Sequence, residues 1–314
     1  MKSQIIILLV FLSTSIGFSQ IGPNDDAVYL DSLNNISNEK NFKFIRVIKD
    51  FKDQKDLYDV VFYSRSGKVE RQAKTSNKFE MVFEGPCVYY YENGNRRRIE
   101  TYFEKKINGK QFDWYENGKP KLESEVIIDK ETNNSTTKII HYWNANNEQK
   151  VIDGFGDYEE ISGPYFASGK IKNGFKDGKW EGYDFKIGYT FSENYENQKL
   201  LSGVSIDSDK VSRTYTMVEV KPEPKNGLKD FYKHVAKNFR VPEKYGLNGR
   251  ILVGFNVDKN GEVIDPKILV SMGFGTDEEA IKIVTTYKNF APGEIRGIKV
   301  KYAFTLPIAI QSQN

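Results

Sequence analysis

The residue types that carry most enzyme chemistry are scarce in this chain of 314 residues, which has two histidines and one cysteine. Zinc sites in proteins use three or four ligands, drawn mostly from Cys and His. His141 and His234 lie far apart in the sequence, and Cys87 is distant from both. We therefore predict structural or surface roles for both histidines, and we expect neither a metal nor any other cofactor.

Two acidic pairs, Glu159-Glu160 and Glu278-Glu279, contain carboxylates of the kind that transfer protons in active sites. Adjacent residues point to different sides of a strand or helix, so neither pair aims two carboxylates at one reacting group. The second pair suits the start of a helix, where negative charge is favourable. No Ser-His-Asp set or metalloprotease motif accompanies them, and we predict no catalytic residues and no enzyme activity.

The charge balance argues against a nucleic-acid partner. Lys and Arg number 46 against 43 Asp and Glu, whereas nucleic-acid-binding domains usually carry a concentrated basic surface. Arg96-Arg97-Arg98 is the densest basic run and is typical of a solvated strand edge. Cys87 has no second cysteine to pair with, so we predict a small buried side chain on a strand. A disulfide to another chain stays open as the alternative.

Residues 1–19 have the order of a secretory signal peptide. Lys2 precedes the apolar run Ile5–Leu12, and the small-residue pattern Gly17-Phe18-Ser19 follows. A membrane span needs about 20 apolar residues, and this run is shorter. We expect cleavage after Ser19, export to the periplasm and no stable membrane span in the mature chain. The alternative is an uncleaved inner-membrane anchor whose chain faces the periplasm.

Residues 20–217 form a succession of short aromatic segments separated by turn signals. Asn-Gly and Asp-Gly pairs tolerate positive φ at both central turn positions and so close tight hairpins. Tyr91-Glu92-Asn93-Gly94 recurs as Tyr115-Glu116-Asn117-Gly118, 24 residues later. A period in the twenties is typical of a repeat architecture. This region resembles the MORN-type repeats of bacterial exported proteins, which implies a meandering antiparallel sheet.

Residues 218–227 are predicted to be a linker, because two prolines and a glycine interrupt both strand and helix. Residues 228–314 then change character, with apolar residues first at helical spacing, then alternating, then helical, then alternating again. Thr276 stands three residues before Glu279, which has the form of a capping box. The predicted fold class is therefore mainly β, with a small C-terminal α+β domain of two helices and three strands.

The segment from about residue 222 to 310 resembles the TonB C-terminal domain family. Several ordered matches over this length are more specific than one short motif, and the resemblance implies the fold of that family. The matching stretches are Val241-Pro242, Gly249-Arg250-Ile251-Leu252-Val253-Gly254-Phe255-Asn256-Val257-Asp258, Asn260-Gly261-Glu262-Val263, Gly275-Thr276-Asp277-Glu278-Glu279-Ala280, Phe290-Ala291-Pro292-Gly293, Gly297 and Leu306-Pro307-Ile308.

The resemblance implies a partner-binding mode, in which the domain takes up a peptide segment of an outer-membrane transporter as an extra strand. An exposed sheet edge supplies unpaired N–H and C=O groups for such an addition. Pro307 lacks an N–H, which places it at an edge or near a strand end. The predicted pairing residues are Ile298, Lys299, Val300, Lys301, Tyr302, Ala303, Phe304 and Thr305. The alternative is that the repeat region, or a second copy in a homodimer, covers this edge.

The chain departs from a tethered energy transducer, because its N-terminal apolar run is short and it has only 10 prolines for a spacer. We therefore expect a TonB-like adaptor that binds an envelope protein without pulling on it. One alternative is an anchored transducer that retains its first segment. Another is an immunity or scaffold protein that binds through its repeats while the C-terminal domain dimerises.

Overall fold

The computed structural model describes residues 21–240 and 248–311. The predicted signal peptide and the Val241-Pro242 match lie outside the described residues. Within the described part of the chain, no helix is long and apolar enough to cross a membrane. Two compact units account for these residues, one of residues 21–159 with 169–176 and the other of residues 160–168 with 177–311.

The first unit is an antiparallel meander in which consecutive strands pair, except that β7 and β8 both pair with β6. Its strands are β1 (Asp26–Leu30), β2 (Phe44–Ile48), β3 (Tyr58–Ser64), β4 (Val69–Asn77), β5 (Val82–Tyr90), β6 (Arg96–Phe103), β7 (Lys106–Ile107), β8 (Gly109–Trp114), β9 (Pro120–Ile128), β10 (Ser135–Trp143) and β11 (Gln149–Ile152). Strands that contribute residues to both units are β12 (Phe155–Ser162), β13 (Tyr165–Lys172) and β14 (Phe175–Asp184).

The recurring Tyr-Glu-Asn-Gly turns join neighbouring hairpins in the same way. The Tyr91 hydroxyl donates to the carbonyl oxygen of Trp114 at 2.8 Å, and the Tyr115 hydroxyl donates to that of Trp143 at 2.8 Å. The glycine of each turn has a positive φ, 85° at Gly94, but Asn93 and Asn117 do not, so the positive φ predicted at both turn positions is found only at the glycines. The repeated tyrosine therefore satisfies a backbone acceptor of the next hairpin, which explains why it recurs with the turn.

The meander buries both apolar and polar side chains. Cys87 is buried on β5, as predicted. Glu100 on β6 accepts hydrogen bonds from the hydroxyls of Tyr89 and Tyr102 and pairs with Arg98 at 3.3 Å. Arg98 also donates to Asp113 at 2.5 Å, so this member of the basic run belongs to a cross-strand ion pair.

The second unit continues with antiparallel strands β15 (Tyr189–Glu196), β16 (Lys199–Asp207) and β17 (Ser212–Tyr215). β15 pairs with β14 and β16, and β16 pairs with β17. Every second residue of β15 is buried: Tyr189, Phe191, Glu193 and Tyr195. This period-two burial is what a strand with one packed face requires.

The same unit contains the C-terminal domain, residues 219–311. The predicted order of helix, strand, strand, helix, strand is confirmed by α1 (Leu228–Asn238), β20 (Asn248–Val257), β21 (Val263–Val270), α2 (Thr276–Thr286) and β25 (Tyr302–Gln311). Five short strands accompany them: β18 (Glu219–Val220), β19 (Glu223–Pro224), β22 (Phe290–Ala291), β23 (Gly293–Ile295) and β24 (Ile298–Val300). One apolar core joins both helices to the sheet β21–β20–β25.

Two local details differ from the sequence analysis. Thr276 is the first residue of α2 rather than its cap, the cap is Gly275, and no side chain caps the helix. The Thr276 hydroxyl donates instead to the carbonyl oxygen of Gly273 at 2.7 Å, so the capping-box prediction is wrong. In residues 218–227, β18 and β19 pair with β23 and β22, so this proline-containing segment is tied to the C-terminal domain.

Candidate strand-addition site

The last strand, β25, lies at an edge of the three-stranded sheet. Its ladder with β20 runs through ten residue pairs, from Asn248↔Gln311 to Val257↔Tyr302, without a register shift. β20 is the central strand, so β25 and β21 are the two edges. Within the described ranges no strand pairs with the outer side of β25. A long, regular edge of this kind offers backbone groups to an added strand.

The predicted pairing residues fall on two strands. Ile298, Lys299 and Val300 form β24, which pairs with β23 from Gly293↔Val300 to Ile295↔Ile298. Lys301 separates β24 from β25, on which Tyr302, Ala303, Phe304 and Thr305 lie. The uninterrupted alternation of the sequence does not reveal this break, because side chains on both strands alternate in the same phase. Only the second group therefore lies on the long edge.

Small side chains line the exposed face of β25. Ala303, Thr305, Pro307 and Ala309 are exposed, whereas Leu306, Ile308 and Ile310 point into the core. Small side chains at these positions leave room for the side chains of a neighbouring strand, since directly opposite residues come within about 5.5 Å of each other. The exposed face of the edge is therefore unobstructed.

Pro307 fixes which backbone groups face outward. The ladder to β20 continues through Leu252↔Pro307 without a shift, although proline has no N–H to donate. Proline is tolerated in a paired strand when its nitrogen faces the open side. Backbone groups alternate sides along a strand, so Ala303, Thr305 and Ala309 share the outward direction of Pro307. The free donors ahead of the proline thus belong to Ala303 and Thr305, the end of the predicted segment.

The other edge of the sheet is irregular. The ladder between β20 and β21 shifts register twice, between Leu252 and Val253 and between Gly254 and Asn256. Pro266 lies within β21, and Asp265 beside it has a positive φ of 52°. Bulges and prolines are devices that blunt an edge against strand addition. β25 is therefore the better suited of the two edges.

Charged groups lie at the start of β25. Lys301 is exposed, with its Nζ 4.0 Å from a carboxylate oxygen of Asp265. The Tyr302 hydroxyl donates to Glu219 of β18, and this hydrogen bond raises the pKa of Tyr302. This contact ties the first residue of β25 to β18.

The metal-binding residue types and the two histidines make local contacts. Within the described residues, no group of three or more His, Cys, Asp or Glu side chains could hold a metal ion. His234 Nε2 lies 3.2 Å from the carbonyl oxygen of Ile283, and His141 Nδ1 lies 3.2 Å from the side-chain amide nitrogen Nε2 of Gln149. Both histidines thus take part in local hydrogen bonds.

These features define a class: a small α+β domain with two helices packed on an antiparallel sheet and a regular edge strand. Residues 242–309 match the model of the family described as the Gram-negative bacterial TonB protein C-terminal domain. This match confirms the resemblance to the TonB C-terminal domain family predicted for this segment. The family match suggests a protein-interaction role in the cell envelope. No curated protein matches the chain.

Proposed function

We propose that this protein is an exported, non-catalytic adaptor of the cell envelope that binds a partner by strand addition to β25. The partner class is an extended segment of an outer-membrane transporter. The residues that receive it are Tyr302, Ala303, Phe304 and Thr305, while Ile298, Lys299, Val300 and Lys301 support the start of the strand.

The observation that carries the proposal is the contrast between the two edges of one sheet. β25 pairs through ten positions without a shift, whereas β21 is bulged and contains a proline. Main-chain hydrogen bonds provide the affinity in strand addition, so a regular edge is the feature that matters. Small exposed side chains on β25 support the same choice of edge.

Site-directed crosslinking tests the choice of edge. Thr305→Cys and, as a matched control on the other edge, Lys267→Cys place one exposed thiol on each edge strand. Synthetic peptides that copy periplasmic N-terminal segments of outer-membrane transporters, each with one cysteine, are the probes. We expect disulfide formation with the β25 variant and at least tenfold less with the β21 variant.

Equal crosslinking at both positions would contradict strand addition at β25. Recovery of only disulfide-linked copies of this chain would favour a homodimer that covers the edge. Cys87 is buried, so it does not compete for the probe.

N-terminal sequencing of the purified protein separates the adaptor from the anchored energy transducer. A mature chain that begins after Ser19 supports the adaptor, because a domain without an anchor can bind but cannot transmit force from the inner membrane. An intact Met1 or Lys2 would favour the transducer.

A further inference from the structure

The hairpin of β23 and β24 has an unusual residue at its tip. Ile295 pairs with Ile298, which leaves Arg296-Gly297 as a two-residue turn with φ of 51° and 74°. Positive φ at both positions favours Asn-Gly, the pair that this chain uses at Asn173-Gly174. Arginine in a left-handed conformation is strained, and such strain persists where the side chain has another task.

The Arg296 side chain is buried in a set of aromatic and acidic residues. Its Nε donates to Glu193 Oε1 at 2.8 Å, and its other nitrogens donate to the hydroxyls of Tyr189 and Tyr165, each at 3.1 Å. The guanidinium carbon lies 3.8 Å from the centre of the Phe191 ring. We name the residues around this side chain the Arg296 socket: Tyr165, Tyr189, Phe191, Glu193 and Ser205.

The backbone of the hairpin tip is held as well. The Arg296 N–H donates to the carbonyl oxygen of Val218 at 2.7 Å. The Ser205 hydroxyl donates to the Arg296 carbonyl oxygen at 2.7 Å, and Ser205 itself is fully buried on β16. Partners on three separate segments therefore hold the tip, through the Arg296 side chain, its N–H and its C=O.

The buried carboxylate of Glu193 in the Arg296 socket requires a positively charged partner. The Glu193 side chain is fully buried and accepts hydrogen bonds from the hydroxyls of Tyr195 at 2.9 Å and Tyr215 at 2.8 Å. An ionised carboxylate without a countercharge in such surroundings is strongly unfavourable. The contact with Glu193 in turn raises the pKa of Arg296, although burial alone would lower it. Each member of the pair is thus dependent on the other.

We infer that Arg296 is a latch, which fastens the β23–β24 hairpin and the adjoining start of β25 to the sheet of β14–β17. Only Lys301 lies between β24 and β25, so fixing the hairpin fixes the beginning of the edge strand. A buried ion pair adds little net stability compared with apolar packing, but it can select one arrangement of the parts it joins. Opening of the hairpin and opening of β15–β17 then become one cooperative event. A ligand held on β25 is thereby connected to the sheet without a flexible linker.

Hydrogen exchange on the purified full chain tests the latch without any partner, so its result is independent of the proposed function. Glu193→Gln keeps the shape of the side chain and removes its charge. Glu181→Gln is the matched control on β14, since Glu181 forms an exposed ion pair with Lys179 at 2.7 Å. We expect exchange of amides in 293–305 and 203–215 to accelerate at least tenfold together in the first variant. Amides of β4 and β5 should keep their rates, and the control should match the unaltered protein.

Arg296→Asn provides the second variant, because it improves the turn while removing the cation. We expect the same two segments to exchange faster, with Arg296→Lys between this variant and the unaltered protein. Faster exchange in residues 203–215 alone, or unchanged rates in 293–305 for both Glu193→Gln and Arg296→Asn, would overturn the latch. Should Glu193→Gln fail to fold, the Arg296 variants give the same discrimination.

Discussion

Buried carboxylates in this protein share one arrangement of partners. Glu100 and Glu193 each accept from two tyrosine hydroxyls and pair with one arginine. Arg98 lies two residues from Glu100, whereas Arg296 lies 103 residues from Glu193. The tyrosine-rich composition is visible in the sequence, but a pairing over that distance depends on the completed fold. Sequence reasoning therefore missed Arg296, whose signal was an arginine where the turn favours asparagine.

The tyrosine partners of Glu193 should contribute measurably to stability. Tyr215→Phe removes a buried donor to a charged acceptor, and we expect a loss of about 1.5–3 kcal/mol in the free energy of unfolding. Tyr90→Phe is the control, because the Tyr90 hydroxyl donates to Gln72 at an exposed position. Urea unfolding of both variants measures the difference. Equal losses of unfolding free energy in the two variants would contradict a larger contribution from the buried hydrogen bonds to Glu193.

The buried Cys87 thiol should lower the stability of the folded protein at alkaline pH. Burial raises its pKa from the usual 9.0 to about 11. Above pH 9 the unfolded chain releases this proton while the folded chain retains it, so stability falls as the pH rises toward 11. We expect this thiol to account for about 2–3 kcal/mol of that fall, at 1.36 kcal/mol for each pKa unit.

Unfolding of the unaltered protein and of Cys87→Ala between pH 8 and 11 measures this contribution. The variant should lose less stability over that range. A parallel pH dependence of the two proteins would contradict the assignment, as would rapid alkylation of Cys87 in the folded protein at pH 8.

At the scale of elements, the turns were the most predictable feature. Asn93-Gly94, Asn117-Gly118 and Asn173-Gly174 lie in turns between paired strands, whereas Asn108-Gly109 lies between β7 and β8, which both pair with β6. The helical and alternating patterns of residues 228–310 predicted the helices and long strands of the C-terminal domain. The short strands β18, β19 and β22–β24 were missed, because segments of two or three residues carry no readable periodicity. The break at Lys301 was missed for the reason that alternation continues across it.

Substitution of two glycines in the C-terminal domain allows the cost of backbone strain to be measured separately from the cost of a steric clash. Gly261 has φ of 86°, and a Cβ there would lie 2.2 Å from the carbonyl oxygen of Phe290. Gly275 has φ of 78° with no atom within 4 Å of such a Cβ. We expect Gly275→Ala to cost about 1–2 kcal/mol from its left-handed conformation alone.

Gly261→Ala should cost clearly more than Gly275→Ala, because the turn must also move away from β22. Thermal unfolding of the two variants under identical conditions measures the difference. A smaller loss for Gly261→Ala would contradict the close approach of this turn to Phe290.

At the scale of the whole molecule, the sequence predicted a TonB-like C-terminal segment, which the family match confirms, and an edge strand for pairing. Which edge of the sheet is regular could not be predicted, because the bulges of β21 arise from pairing between distant segments. The sequence also did not predict that the C-terminal domain and β15–β17 belong to one compact unit, which contains residues 160–168 and 177–311. Deletion of the residues after Pro222 would therefore also remove Arg296, the cationic partner of Glu193.

The central claim is that the outer side of β25 is free to receive a strand, and amide exchange by NMR on the unliganded protein tests it most directly. We predict alternation along the strand: the amides of Ala303, Thr305 and Ala309 exchange rapidly, whereas those of Phe304, Leu306 and Ile308, which face β20, are protected. Uniform protection of all six amides would mean that this side is already hydrogen-bonded, and it would contradict strand addition at β25.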